Sequence, residues 1–230
     1  MTEAATQPAD RVTAGRHAAH LVGDIPRAVR MRIGMHRPVP AGFAEGDAAP
    51  VVLLPGVQER WPALVRMARR LSADGHPVHV LPELGYNVRP IPETAERVLD
   101  GLARRDLSGV VLVAHSKGGL VGKHAMLHDA DGRIDRMVAV ATPFRGTRMA
   151  DLMVVPWMRE FRREHPVIRA LAADERIDDR IVSIAPQFDP HIPDRTRVER
   201  GRNVEVPVVG HFRILEWPAA IDAVARAVAG

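Results

Sequence analysis

Three side chains that could act together in acyl transfer each follow a different apolar run of the chain. Ser116 follows VVLVAH, Asp189 follows IVSIAPQF and His211 follows VEVPVVG. A serine hydroxyl attacks a carbonyl carbon when a histidine takes its proton, and a carboxylate orients that histidine and stabilises its cationic form. Each residue alone is weak evidence, because serines cap helices and an aspartate before a proline makes turns. Their joint placement predicts a nucleophile, an acid and a base in one cleft.

The residues around Ser116 are typical of a sharp bend between a strand and a helix. Ala114 and Gly118 stand two positions before and after it, and both are small enough to pass each other across a tight turn. The helix that follows would point its free N–H groups at the serine and stabilise negative charge there. The alternative is an ordinary helix start with Ser116 as its N-cap. The motif alone leaves both interpretations open.

Other acids and two backbone donors complete the candidate site. Asp194 and Glu205 compete with Asp189, but the first lies farther into the loop and the second falls inside the last predicted strand. The predicted oxyanion donors are the N–H of Lys117, directly after the serine, and the N–H of Val57 in LLPGVQ. Loss of one such donor typically lowers the rate by about 10²–10³-fold. The Lys117 side chain is expected to point to solvent, the alternative being a preference for an anionic substrate.

Alternating strand and helix patterns must position these residues. The predicted strands lie in VVLLPG, HPVHVLPELG, VVLVAH, RIDRMVAVATPF, DRIVSIAPQFDP and NVEVPVVGHF. Helical spacing occurs in WPALVRMARRLSADG, PETAERVLDGLARRD, the segment after Ser116 and WPAAIDAVARAVAG. This alternation predicts an α/β fold with a doubly wound, mostly parallel sheet and helices on both faces. Chemistry in such sheets lies beyond the carboxyl ends of the strands.

The pattern divides the chain into two parts. Residues 50–230 carry the α/β domain, and residues 1–49 form an N-terminal segment that packs on the core, with loose first residues. Within that segment, residues 16–37 fit either a helix or, from Val29 to Met35, a short edge strand. Residues 144–180 interrupt the alternation with Trp- and Met-containing helical sequence and are expected to form a small cap. A helix packed in the core is favoured over a mobile lid that lines an acyl pocket.

Composition excludes several classes of function. The 230 residues include no cysteine, so a disulfide framework, a thiolate zinc site and a cysteine nucleophile are impossible. Net charge is +4, and the arginines are mixed with acids, as in RREHPVIRALAADERIDDR, which disfavours nucleic-acid binding. No apolar run approaches the ~20 residues that span a bilayer, and a signal-peptide core is missing. We therefore expect a cytoplasmic protein without stable membrane insertion.

The motifs together resemble the α/β-hydrolase superfamily, and within it the bacterial lipases and esterases. The resemblance rests on the order Ser…Asp…His, the AHSKGG elbow, LLPG before a helix, GHF near the C-terminus and the lipase-like ATPFRGTRMADL, and it covers residues 50–230. It implies Ser116 as nucleophile, Asp189 as acid and His211 as base, with Val57 and Lys117 as oxyanion donors. Ala114 replaces the first glycine of G-x-S-x-G, and Lys117 stands where Gln or Met is often found.

The expected function is hydrolysis of carboxylic esters with a medium acyl chain, on a small-molecule or lipid substrate. No cofactor and no metal is expected. An acyltransferase with the same triad and a non-catalytic binding protein on the same fold are the alternatives. The side chains expected to line a substrate pocket are Gln58, Tyr86, Phe144, Met153 and Trp157.

Overall fold

A computed structural model describes residues 22–24, 26, 29, 35–152, 155–194 and 197–230. Within these ranges six parallel strands form one sheet in the order β2-β1-β3-β4-β5-β6, which confirms the predicted doubly wound sheet. The strands are β1 (Val51–Leu54), β2 (Val78–Val80), β3 (Val110–His115), β4 (Ile134–Val140), β5 (Ile181–Phe188) and β6 (Arg202–Val209).

From residue 35 onward, the α-helices of the described chain lie where the sequence has helical spacing. They are α1 (Val65–Ala73), α2 (Ile91–Arg104), α3 (Lys117–Leu127), α4 (Met149–Leu152), α5 (Pro166–Ala173) and α6 (Pro218–Ala229). Short 3₁₀ helices include Trp61–Leu64, Pro82–Leu84, Pro156–Phe161 and Asp178–Arg180. Proline in the first turn of α2, α5 and α6 presets the helical φ and forgoes an N–H that has no intrahelical acceptor.

Both faces of the sheet are covered, and the core therefore has two layers. Alternate residues of β1 point to opposite faces: Val51 and Leu53 pack with α1 and α6, and Val52 and Leu54 pack with α2, α3 and α5. A strand covered on both faces gains from an apolar side chain at every position. This explains why VVLL and VVLVA are continuous apolar runs rather than alternating ones.

The segment 144–180 consists of short helices rather than one long helix. Its described elements are α4, the 3₁₀ helix Pro156–Phe161 and α5. Pro156 lacks the N–H that a continuing helix would need, and a new short helix starts there. Phe161, Ile168 and Leu171 are buried in the same core layer as α2 and α3. The described apolar side chains of this segment thus pack on the domain.

The described part of the N-terminal segment reaches the core at Phe43, whose ring packs against Trp61, and at two further buried residues. Asp24 and Met35 are buried, and the Met35 sulfur lies 3.1 Å from the backbone nitrogen of Arg60. Val29 is helical and Met35 lies in a turn, while residues 30–34, which would decide between a helix and an edge strand, lie outside the described residues. No helix in the described ranges has the length and apolarity needed to cross a bilayer.

Candidate active site

Ser116 lies on a sharp bend between β3 and α3. Its backbone has φ 50° and ψ −118°, a conformation that costs a non-glycine residue about 1–3 kcal/mol. The Ser116 N–H donates to the Val140 carbonyl at 2.9 Å, which anchors the bend to β4. A Cβ atom at Gly118 would lie 2.0 Å from the Leu54 carbonyl oxygen, so only glycine fits beside β1.

The Ser116 hydroxyl faces a histidine instead of capping the helix. Ser116 occupies the N-cap position of α3, yet its side chain makes no capping hydrogen bond. Its Oγ lies 3.0 Å from Nε2 of His211, which follows β6. This contact favours the nucleophile interpretation over an ordinary helix start, because an N-cap serine directs its oxygen to backbone N–H groups.

Asp189 completes a chain of three polar side chains at the carboxyl edge of the sheet. Its Oδ2 lies 2.7 Å from Nδ1 of His211. Its Oδ1 accepts the backbone N–H groups of His191 at 2.8 Å and Ile192 at 3.1 Å. The carboxylate is therefore held on one side by its own loop and presents the other oxygen to the imidazole. The structure brings together the three residues that the sequence predicts as nucleophile, base and acid.

The electrostatics of the pair favour a cationic imidazole beside an ionised carboxylate. Burial by itself would lower the pKa of His211, but the charge and hydrogen bond of Asp189 outweigh it and raise that pKa, with smaller contributions from Glu59 and Asp24. Burial would raise the pKa of Asp189, yet the charge and hydrogen bond of His211 hold it below the ordinary value. Asp189 thus stabilises the imidazolium that forms when His211 accepts a proton.

The two competing acids lie elsewhere. Asp194 accepts the backbone N–H of Arg148 at 3.0 Å and forms an ion pair with the guanidinium of the same residue. Glu205 is an exposed side chain of β6. Of the three acids considered, only Asp189 is hydrogen-bonded to the His211 ring. No group of three or more His, Asp or Glu side chains among the described residues could hold a metal ion.

The loop that carries Val57 is held from both sides. The Pro55 carbonyl accepts the side-chain amide of Asn87 at 2.7 Å, and the Gly56 N–H donates to Glu59 Oε2 at 2.7 Å. Lys117 is the first residue of α3, so its N–H has no intrahelical acceptor. Both predicted oxyanion donors lie on segments that flank Ser116, one directly after it and one in the loop after β1.

The Lys117 side chain is buried, so the expectation that it points to solvent is wrong. Its Nζ lies 3.3 Å from Glu160 Oε2 and donates to the Arg89 carbonyl. Glu160 in turn accepts the Ile91 N–H at 2.6 Å through Oε1. Burial lowers the pKa of Lys117, and the charge of Glu160 opposes that shift. The lysine joins the start of α3 to the segment 156–161 and to the start of α2.

The predicted substrate-pocket residues have separate locations. Phe144 is buried in the core layer of α3 with the Lys123 ammonium 6.0 Å from its ring centroid, and it therefore does not line an open pocket as predicted. Tyr86 is exposed, with its hydroxyl 3.0 Å from His36 Nε2 and Arg60 over its ring. Gln58 is half-buried beside Val57. Met153 and the side chain of Trp157 lie outside the described residues.

The sequence reasoning missed four residues near His211, of which His191 has its ring centroid 5.0 Å from that of His211. Asp24 accepts the backbone N–H of His211 at 2.7 Å, and Glu59 lies 2.9 Å from Nδ1 of His115. Burial raises the pKa of Asp24, while its hydrogen bond to the His211 backbone opposes this. Glu59 and His115 lie near predicted strand ends, so a survey of every polar residue there would have included them. No local pattern distinguishes Asp24.

Comparison with solved structures relates this fold to lipases and other hydrolases. Aspergillus fumigatus lipase B is similar with a TM-score of 0.66 and 18% identity, over 87% of this chain and 57% of that chain. The mature Bacillus licheniformis lipase BlEst2 has a TM-score of 0.61 and 14% identity, over 84% of this chain and 95% of that one. An extracellular α/β-hydrolase from a Paenibacillus species gives 0.56 and 16%, over 79% and 99%. No family model and no curated protein matches the sequence. At these identities the likeness shows a shared fold.

Proposed function

Because this chain has the α/β-hydrolase fold, we propose that it is a serine hydrolase that cleaves carboxylic esters. The observation that carries the proposal is the Ser116 Oγ to His211 Nε2 distance of 3.0 Å, with Asp189 2.7 Å from the other ring nitrogen. These are hydrogen-bond distances for proton transfer from the nucleophile to a general base. The similarity to two lipases supports esters as the substrate class.

In the acylation step, Ser116 Oγ attacks the ester carbonyl carbon while His211 Nε2 takes the hydroxyl proton. The carbonyl oxygen becomes an oxyanion, which accepts hydrogen bonds from the N–H groups of Val57 and Lys117. Collapse of this intermediate breaks the bond to the alcohol oxygen, and the imidazolium returns its proton to that oxygen. The products of the step are a free alcohol and an acyl group on Ser116.

In the deacylation step, water takes the place of the alcohol. His211 removes a proton from the water while the water oxygen attacks the acyl carbonyl carbon. The N–H groups of Val57 and Lys117 bind the second oxyanion. The intermediate collapses to release a carboxylic acid, and Ser116 Oγ regains its proton from the imidazolium. Asp189 keeps the Nδ1 proton in place throughout and stabilises the cationic ring in both steps.

Hydrolysis of p-nitrophenyl esters of increasing acyl length, combined with fluorophosphonate labelling, tests the proposal. We expect turnover to be highest on medium chains and labelling to be confined to the peptide that contains Ser116. The Ser116→Ala variant should lose on the order of 10⁶ in turnover, by analogy with a measured serine-protease triad. Ser72→Ala, in α1, is the matched control and should keep both activity and labelling. A folded Ser116→Ala protein with wild-type ester hydrolysis would rule out the proposal.

A further inference from the structure

A second buried acid–histidine pair lies directly beside the proposed triad. Glu59 follows the turn after β1, and His115 is the last residue of β3, immediately before Ser116. Glu59 Oε2 is 2.9 Å from His115 Nδ1, and the side chains are 6% and 0% exposed. Burying an ionisable pair carries a desolvation cost, so its place next to the site calls for an account beyond general stability.

On one side the pair holds the loop that carries a proposed oxyanion donor. The same oxygen of Glu59 that faces His115 accepts the Gly56 N–H at 2.7 Å. A Cβ atom at Gly56 would lie 2.9 Å from this oxygen, so the carboxylate fills the space against the loop. Gly56 directly precedes Val57, whose N–H is proposed to bind the oxyanion. The position of Glu59 therefore helps to set the direction of that N–H.

On the other side the pair holds the loop of the proposed base. His115 Nε2 lies 3.3 Å from the carbonyl oxygen of His211, and the two ring centroids are 4.8 Å apart. A carbonyl oxygen only accepts hydrogen bonds, so the proton of this contact belongs to His115 Nε2. The other ring nitrogen, Nδ1, faces the Glu59 carboxylate. Through these two contacts His115 connects two loops that flank Ser116.

We propose that Glu59 and His115 are positioning residues for ester hydrolysis, a role that rests on the proposed function. They fix the positions of the Val57 N–H and of the His211 ring relative to the Ser116 hydroxyl. Neither side chain touches the reacting atoms. The ring contact also places Glu59 close enough to contribute to the electrostatics of His211. A merely structural pair would change the stability of the protein and leave the chemical step alone.

Glu59→Gln, His115→Met and the double variant test this role. Gln keeps the shape and can still accept the Gly56 N–H, but a neutral His115 has one ring proton and loses one of its two contacts. We expect Glu59→Gln to lower kcat by about 10²-fold with KM within about twofold, because misplaced groups lose transition-state stabilisation. The rate of fluorophosphonate labelling at Ser116 should fall by a similar factor. The double variant should be no slower than the slower single variant, since residues that act as a unit are not additive.

Lys123→Met provides the matched control, since it also breaks a buried ion pair. Lys123 lies seven residues after Ser116 on α3, about 10 Å along the helix, and contacts Asp178 at 2.6 Å. Lys123→Met should lower Tm without lowering kcat.

The positioning role is overturned if Glu59→Gln behaves like this control, with kcat and the labelling rate within about threefold of the wild-type values. If the wild-type protein is itself unlabelled at Ser116, the hydrolase proposal fails and the positioning role fails with it. Because Gln is isosteric, Glu59→Gln alone decides the matter if His115→Met does not fold.

Discussion

A buried aspartate flanks each end of β5, and the two differ in their partners rather than in their burial. Asp178 precedes the strand and lies 2.6 Å from Nζ of Lys123. Asp189 follows the strand and lies 2.7 Å from Nδ1 of His211. Both carboxylates are nearly inaccessible to solvent. The same residue type, at opposite ends of one strand, therefore forms two buried pairs with similar separations of their charged atoms.

The two pairs differ in what the partner of each aspartate can contact in turn. A lysine ammonium donates three hydrogens and accepts none, so the pair of Asp178 and Lys123 offers no nitrogen that could take a proton from a hydroxyl. An imidazole has a second nitrogen, and that of His211 lies 3.0 Å from the Ser116 hydroxyl. The carboxyl edge of a parallel sheet gathers the loops that follow several strands, whereas the amino edge does not bring those loops together. Burial and charge pairing alone therefore do not identify a reactive site.

Among the substitutions in the two buried pairs, Asp189→Asn is expected to lower turnover most. An asparagine amide favours the wrong tautomer of His211 and does not stabilise its cation, so kcat should fall by about 10⁴-fold. The measurement is p-nitrophenyl ester hydrolysis together with Tm. Asp194→Asn, on the same loop, should keep wild-type turnover. A loss below tenfold for Asp189→Asn in a folded protein would contradict the assigned role.

At the other end of β5, a substitution is expected to lower the stability of the protein and to leave its turnover unchanged. Lys123→Met leaves Asp178 as an unpaired buried acid and should lower the free energy of unfolding by about 3–5 kcal/mol, with kcat of the folded protein unchanged. Urea unfolding measures the loss. The double variant Lys123→Met/Asp178→Asn should recover most of it, because no buried charge remains. A large drop in kcat for the folded single variant would show that the two pairs do not differ as described.

The smallest expected effect is a shift in the pH dependence of hydrolysis, which follows the protonation of His211 beside Asp189. Hydrolysis needs neutral His211, so activity rises as pH increases through the raised pKa of that residue. Asp24→Asn keeps an oxygen for the His211 N–H but removes a charge that raises this pKa. In Asp24→Asn, the rising limb of the plot of kcat/KM against pH should therefore move to lower pH. At pH 8 the rate should stay within about twofold of the wild-type rate.

The pH experiment has a clear control and a clear contrary outcome. Asp100→Asn removes an exposed carboxylate from α2 and should leave the limb in place. Asp189, Glu59, His115 and His191 also surround His211 and remain unchanged in both variants. An unmoved limb in Asp24→Asn would show that Asp24 acts on the loop through its hydrogen bond alone.

Most of the fold was predictable because its signals are local. Apolar runs of four to eight residues, helical spacing and glycine or proline at element ends depend on neighbours in sequence. The segment 149–161 is one limit of such reasoning: its apolar residues suit a helix, but Pro156 divides it. Phe144 is another, since an aromatic residue after a strand fits a pocket wall and a core equally well. Only the packing of α3 decides between them.

The part of the candidate site that was predictable consists of residues that directly follow strands. Ser116, Asp189 and His211 each follow a strand of a parallel sheet, and the carboxyl ends of such strands share one edge. The partners that hold these groups were not predictable. The contact between Asp24 and His211 joins residues 187 positions apart, and that between Glu59 and His115 joins residues 56 apart.

Local patterns are sufficient to predict the parallel sheet and the candidate nucleophile, acid and base, because periodicity and small residues at turns act over a few positions. The burial of Lys117 against Glu160 and the contact between Glu59 and His115 follow from the packing of the whole domain. A long polar side chain is stabilised by whichever partner the fold brings within hydrogen-bond distance. That partner follows from the packing of distant segments and not from neighbouring residues.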